Sequence, residues 1–274
     1  MSAENTIAVE MAVFTKPWPG LAMGELAAMV HGMGFDAAEV PVRPGFQVEP
    51  ERVAADLPRL VKTLGDAGVK VCSVASGLDE PVFAACAETG VPIIRIMAPV
   101  RRGAYAASEE DFRHLVAEAL PLAEKYGVRI GVQPHQGDFI NSGVTMHHAL
   151  KGFDAAHVGV IWDAAHDALA GVAPETGLDI VWDQLLMVNL KNAYYERVNG
   201  PEADAAEWRP HFTTGQHGLA SWPRVAAELI RRGYQGTVCL TAEYDPAGEE
   251  ARLVVKDLTY ARGLLLAEGS GRAG

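Results

Sequence analysis

The residues of this 274-residue chain whose types could do chemistry gather at the downstream ends of short apolar runs. Glu243 ends the run LTAE at 240–243, Gln133 and His135 end GVRIGVQPH at 127–135, and Asp163 and His166 end VGVIWDAAH at 158–166. Asn189 and Lys191 lie in VNLKN at 188–192, and Lys16, Glu39, Arg43, Ser73, Ser76 and Arg95 stand at or near comparable places earlier in the chain. Carboxylates, imidazoles and ammonium groups are the side chains that carry protons or hold cations. The guanidinium forks of Arg43 and Arg209 suit a carboxylate or phosphate, and Trp18 could stack on a sugar face. Each residue also has a purely structural use. Asp163 could cap a helix, Lys191 could sit in an ion pair, Glu243 could be salt-bridged, and Trp18 could simply pack.

Elements with a definite rhythm must position these groups. Short runs rich in β-branched residues recur at 7–14, 37–42, 69–74, 92–97, 129–133, 158–162, 186–190 and 237–242, as expected of strands buried on both faces of a parallel sheet. Amphipathic segments at 23–32, 51–64, 108–125, 144–152, 174–182, 222–232 and 249–267 read as helices, the third with a capped start at Ser108. Eight strands alternating with helical segments predict a single (β/α)8 barrel of the TIM type, with residues 1–274 as one domain. An open doubly wound sheet would carry a glycine-rich phosphate turn after its first strand; TKPWPG stands at 15–20 instead. In a barrel the chemistry belongs at the C-terminal ends of the strands, which is where these polar residues fall, and Glu243 at the end of the last strand leads the catalytic candidates. Along a strand that continues, His135 shares a side with Gln133, and Lys191 shares a side with Asn189.

The stretch 192–220 has no regular pattern and holds Tyr194, Tyr195, Arg197, Trp208, Arg209, His211 and His217. It suits an active-site loop or a subunit contact, which leaves a homo-oligomer open.

Composition narrows the partners. The formal net charge is −12, from 35 acidic and 23 basic side chains, with no basic cluster longer than Arg101–Arg102 or Arg231–Arg232. Nucleic acid is therefore not an expected ligand. No apolar run approaches the length of a membrane span, and the start of the chain lacks a signal-peptide pattern, so a cytoplasmic protein is expected. Cys72, Cys86 and Cys239 are few, scattered and set in no metal-type spacing.

The segments at 127–135, 158–166, 188–192 and 240–243, with FTKPW at 14–18, EVPVRPG at 39–45 and GYQG at 233–236, resemble the xylose-isomerase-like barrel superfamily. That group includes sugar isomerases and epimerases, inosose dehydratases and endonuclease IV. The resemblance implies a metal site of Glu, Asp, His and Glu, one from each of the last four strands, at Gln133, Asp163, Asn189 and Glu243. Two of the four are amides here. Amide oxygens can coordinate Mg2+ or Mn2+ but weakly, so the implied divalent metal is expected to be weakened or absent.

The resemblance also implies two glutamates exchanging protons on opposite faces of a substrate. Gln133 cannot be a base, which leaves Glu243 to abstract a proton beside a carbonyl while His135, His166 or Lys191 supplies the acid. Glu39, Arg43, Arg209 and Trp18 are expected to bind the substrate. The function expected is a sugar or sugar-derivative isomerase/epimerase-like enzyme acting on a small carbohydrate. A keto-sugar or inosose dehydratase is the nearest alternative, and a sugar-binding barrel without metal or activity is the alternative from a different class. A nuclease is opposed by the net charge and by too few metal-type residues.

Overall fold

The computed structural model describes residues 8–266. Eight parallel strands, each buried on both faces, close into a barrel. They are β1 (Glu10–Phe14), β2 (Ala37–Pro41), β3 (Lys70–Ala75), β4 (Ile93–Met97), β5 (Arg129–Gln133), β6 (Val158–Asp163), β7 (Leu185–Leu190) and β10 (Thr237–Leu240). Each is hydrogen-bonded to the next in sequence, and β1 pairs with β10 to close the ring. The helices are α1 (Met23–Gly32), α2 (Val53–Asp66), α3 (Glu80–Thr89), α4 (Tyr105–Tyr126), α5 (Gly143–Leu150), α6 (Ala164–Leu169), α7 (Pro174–Val181), α8 (Trp222–Arg231) and α9 (Glu250–Leu265). The expected (β/α)8 TIM barrel is the fold observed.

Alternation along the strands sorts the side chains into two sets. Val13, Val40, Ile94, Val132, Val160, Val188 and Leu240 face outward into the apolar layer under the helices. Ala12, Ala37, Cys72, Ile93, Ile161, Met187 and Cys239 fill the barrel interior. Gly131 and Gly159 make room for that plug: a Cβ on Gly131 would lie 2.7 Å from Ile161 Cδ1, and one on Gly159 would lie 2.6 Å from Leu186 Cγ. Above this apolar floor the interior turns polar, with Glu39, Ser73, Arg95, Gln133, Asp163 and Asn189 all buried. The floor thus sets the depth of the site.

Some expectations need correction. The stretch 192–220 is not irregular: β8 (Asn192–Arg197) and β9 (Trp208–Thr213) form an antiparallel hairpin. Its residues alternate aromatic, charged and small rather than apolar and polar, so the period-2 signal is missing, and backbone pairing holds it. The Asn192 side chain anchors its base by donating to the carbonyls of Gly215 and Ala220. Helix α3 was not expected either, because its ten residues, EPVFAACAET, carry no clear apolar and polar faces. The third expected helix begins before Ser108, which lies inside α4 and donates back to the Ala104 carbonyl instead of capping. Ile7 and Ala267, at the ends of expected elements, lie outside the described residues.

Candidate active site at the barrel mouth

A hydrogen-bonded chain of buried groups runs across the top of the interior. Ser73 Oγ donates to Glu39 Oε1 at 3.0 Å, and Arg95 Nε donates to the same oxygen at 2.6 Å. Arg95 Nη1 donates to Gln133 Oε1, and Gln133 Nε2 donates to Asp163 Oδ2 at 2.8 Å. The other carboxylate oxygen of Asp163 accepts from the backbone N–H groups of Ala165 and His166, capping α6. Burial pushes the Asp163 carboxyl up, against the opposing influence of Lys191 and these hydrogen bonds. A carbonyl oxygen facing a guanidinium and an amide facing a carboxylate fix which way the Gln133 side chain points. Arg95 also stacks over Phe14, 4.5 Å from the ring centroid.

Closer to the opening, Glu243 lies between two ammonium groups. Lys16 Nζ donates to Glu243 Oε1 at 2.5 Å and Lys191 Nζ donates to Oε2. Burial alone would raise the Glu243 pKa, but the two lysines outweigh it and hold the carboxyl well below the usual carboxylate range. Lys191 itself is buried and sits 4.0 Å from the centroid of the Phe212 ring on β9. The hairpin therefore covers this end of the site. The residue before Glu243, Ala242, has left-handed backbone (φ 52°), a departure that costs an L-residue about 1–2 kcal/mol and is typical of functional positions.

His135 and His166 lie against each other with ring centroids 4.3 Å apart and planes tilted by 43°, and the backbone of Gln136 assigns their tautomers. His135 Nδ1 lies 2.7 Å from the Gln136 carbonyl, which can only accept, so Nδ1 carries the proton and Nε2 keeps a lone pair. The Gln136 N–H donates to His166 Nδ1 at 3.2 Å, so the His166 proton is on Nε2. Burial and the nearby Lys191 charge lower the pKa of both imidazoles, that of His166 well below the ordinary value. Both are neutral at pH 7. Among the described residues no group bonds His166 Nε2, either polar atom of the Asn189 amide, or Glu39 Oε2, all of which are buried.

Phe14, Lys16, Arg43, Arg95, Met97, Gln133, His135, Lys191, Thr241 and Glu243 line a small central cavity of about 60 Å³. Grooves of about 610 Å³ beside Arg43 and about 410 Å³ beside His135 and Phe212 flank it. A larger cavity of about 750 Å³ opens at the opposite, N-terminal end of the strands, between Glu10, Lys70 and Arg129. Size does not mark the site here; the convergence of buried polar groups at the strand ends does.

The structure brings Gln133, His135, Lys191 and Glu243 around one cavity with Arg43 on its wall, places Asp163 against Gln133, and sets His166 against His135. Glu39 lies within the buried chain, held by Ser73 and Arg95. Two expected binding residues lie elsewhere. Trp18 is half-buried and packs against the apolar core, and Arg209 is on the outer face of the hairpin, paired with Glu196 at 3.3 Å. Lys16 and Arg95, two of the strand-end polar groups, take parts in the site that the sequence does not assign, and Phe212 is not among its candidates. A charge inside the run IIRIM was the signal for Arg95, because a lone charge inside a barrel must find a partner there. Phe212 gave no signal, since only the hairpin brings it over Lys191.

The four positions where the superfamily pattern would hold a metal do not fit a divalent cation. Both Glu243 oxygens accept from ammonium groups, the Gln133 oxygen accepts from Arg95, and one Asp163 oxygen serves the backbone. Asn189 offers one neutral oxygen. Lysine and arginine supply the positive charge here, and among the described residues no group of three or more His, Cys, Asp and Glu side chains is arranged around a common point.

A family model described as xylose isomerase-like TIM barrel matches residues 27–263. An inosose dehydratase of Bacillus velezensis is 23% identical over 145 residues, 51% of this chain and 47% of the relative; the chain thus spans about half the length of the curated relatives it matches. Among solved structures, D-psicose 3-epimerase with D-tagatose from Clostridium cellulolyticum H10 superposes with a TM-score of 0.71 at 15% identity, covering 94% of this chain and 100% of that one. The probable 3-DHS dehydratase involved in petrobactin synthesis from Bacillus anthracis superposes with a TM-score of 0.72 at 12% identity, covering 92% and 98%. These structural likenesses speak to the fold.

Proposed function

The chain belongs to the xylose isomerase-like TIM barrel family, and from that premise we propose that it is an enzyme that moves a proton on the carbon beside the carbonyl of a small carbohydrate derivative. The observation that carries this reading is an accessible, unprotonated imidazole nitrogen, His135 Nε2, on the same small cavity as an ammonium–carboxylate–ammonium group. In the proposed reaction His135 takes the proton α to the carbonyl, and the electron pair moves onto the carbonyl oxygen. The ammonium groups of Lys191 and Lys16 hydrogen-bond that oxygen as its charge develops, acting as fixed positive charge in a site where the residues do not suit a divalent cation. Where the α-carbon carries a hydroxyl, transfer of that hydroxyl's proton to the enolate oxygen and return of the abstracted proton from His135 to the former carbonyl carbon complete an isomerisation.

The role of Glu243 changes in this reading. The sequence gives it the part of base, but a carboxyl held this far below its usual range is a weak one. Glu243 instead positions the two lysines, and His135 takes the base role.

Loss of a β-hydroxyl as water from the same enolate is the second reading. The curated matches to inosose dehydratases favour it, and one base suffices to begin it. A two-base epimerisation is less well supported, because Gln133 has no basicity to offer the opposite face.

Solvent deuterium exchange into a panel of ketoses and keto-inositols tests the proposal. Wild-type protein should label the α-carbon, and His135→Asn should lower the rate by about 10²-fold or more, the usual contribution of a general base. Exchange that survives His135→Asn but vanishes in Glu243→Gln would return the base role to Glu243. Absence of exchange across the panel would favour a binding barrel.

A further inference from the structure

The mouth of the barrel is cationic in a chain of net charge −12. Lys16, Arg43, Arg95 and Lys191 gather there against Glu39, Asp163 and Glu243. The three carboxylates are engaged: Glu39 with Arg95 through Oε1, its Oε2 bonding no described group, Glu243 with the two lysines, and Asp163 with Gln133 and the α6 backbone. Arg43 is not. Among the described residues no side chain bonds its guanidinium, and the opposing charges that influence it, Glu39 and Glu243, are held by other cations.

This arginine is half-buried and firmly presented. Its segment is pinned by Val42 N–H to the Ala75 carbonyl at 2.9 Å and by Arg43 N–H to the Val48 carbonyl at 3.1 Å. The loop closes through Gly45, whose φ of 80° demands glycine, and the Gly45 N–H donates to Glu49. Arg43 stands on the wall shared by the central cavity and the groove of about 610 Å³ beside it, with Ser76 and Met97 on the groove's lining. Asp79 is on that lining as well, but it makes no ion pair with Arg43. A half-buried guanidinium with five donors and no carboxylate partner offers the planar fork that an oxyanion completes.

We infer that the substrate carries an oxyanion group, a carboxylate or a phosphate, and that Arg43 seats it in the groove beside the central cavity while the reacting carbonyl faces His135 and Lys191. The inference rests on the proposed reaction only for the placing of the carbonyl. A neutral ketose would leave the guanidinium unanswered, whereas a sugar acid or sugar phosphate would complete it with paired N–H···O bonds.

Calorimetric titration of D-fructose, D-fructose 6-phosphate, D-glucuronate and inorganic phosphate into the wild-type protein, Arg43→Gln and Arg43→Lys tests this. At least one oxyanion ligand should bind wild type ten-fold or more tightly than D-fructose. Arg43→Gln should lose ten-fold or more of that affinity, Arg43→Lys should fall between, and D-fructose should not distinguish the three. The stronger of the glucuronate and phosphate arms names the group. If D-fructose binds as tightly as the best anion, or no oxyanion ligand exceeds it, or folded Arg43→Gln keeps anion affinity within two-fold, the inference is overturned. Should Arg43→Gln fail to fold, the wild-type comparison alone decides. Anion binding that depends on Arg43, without deuterium exchange, would count against the proposed reaction and leave the anion site standing. Exchange into neutral ketoses alone would do the reverse.

Discussion

Lys191 and Glu243 meet ammonium to carboxylate across the mouth of the barrel, from just past the ends of β7 and β10, which lie side by side in the ring. The pair puts a lysine against the carboxylate that the superfamily pattern gives to a metal, and Lys16 from the loop after β1 completes it on the other oxygen.

Removing that carboxylate should strand two cations. Glu243→Gln is expected to cost about 2–3 kcal/mol at pH 7, less than the roughly 3–5 kcal/mol of breaking a fully buried pair, because Lys16 and part of Glu243 keep solvent contact. The folded carboxyl lies below the ordinary glutamate value of about 4.3, so its contribution is fully present above that pH and is lost as pH falls further. The gap between wild type and variant should therefore narrow between about pH 4 and pH 2 in denaturant melts. An equal gap at pH 7 and pH 3 would contradict the depressed carboxyl.

The pH profile of deuterium exchange should report His135. In the proposed reaction its neutral form is the active one, and burial with the Lys191 charge places its pKa below the ordinary imidazole value, with Glu243 opposing and Arg95 reinforcing. The acid limb of the rate should therefore be centred below the ordinary imidazole value of about 6.5. Lys191→Met, which removes a positive neighbour, should move the acid limb upward in whatever activity remains. A wild-type limb centred above about 7 would remove His135 as the base.

Metal affinity should depend on the lysine as much as on the amides. Gln133→Glu with Asn189→His restores the superfamily's Glu, Asp, His, Glu set but leaves Lys191 on Glu243. That double variant should gain less than about ten-fold in Mn2+ affinity, and adding Lys191→Met should gain much more. Titration calorimetry and Mn2+-dependent shifts in melting temperature would measure both. If the double variant alone binds Mn2+ as well as the triple, the ammonium group is not what excludes the cation.

Much of the scaffold is legible in the sequence because burial on both faces of a parallel strand demands continuous β-branched runs, and those runs can be counted. The strand-end positions of Gln133, His135, Asp163, Lys191 and Glu243 follow from the same pattern. The hairpin over the site was not legible, because its strands are fixed by pairing and by the Asn192 anchor rather than by alternation. Trp18 and Arg209 have suitable chemistry for sugar and oxyanion binding, yet one packs half-buried against the core and the other pairs across the outside of the hairpin. Side-chain type alone does not carry direction.

By itself the sequence determined the barrel, the end of it at which polar groups collect, and the replacement of two metal-type ligands by amides. Only the tertiary structure decided how those groups are paired. Lys16 and Glu243 are 227 residues apart in the chain, and Arg95 and Gln133 are 38 apart, so no local spacing could show that one pair closes on a carboxylate and the other on an amide. Pairing sets protonation: two ammonium groups turn Glu243 into a weak base, and a backbone carbonyl leaves His135 Nε2 free to accept a proton. Among the described residues no side chain bonds the Arg43 guanidinium, and the proposed oxyanion seat rests on that.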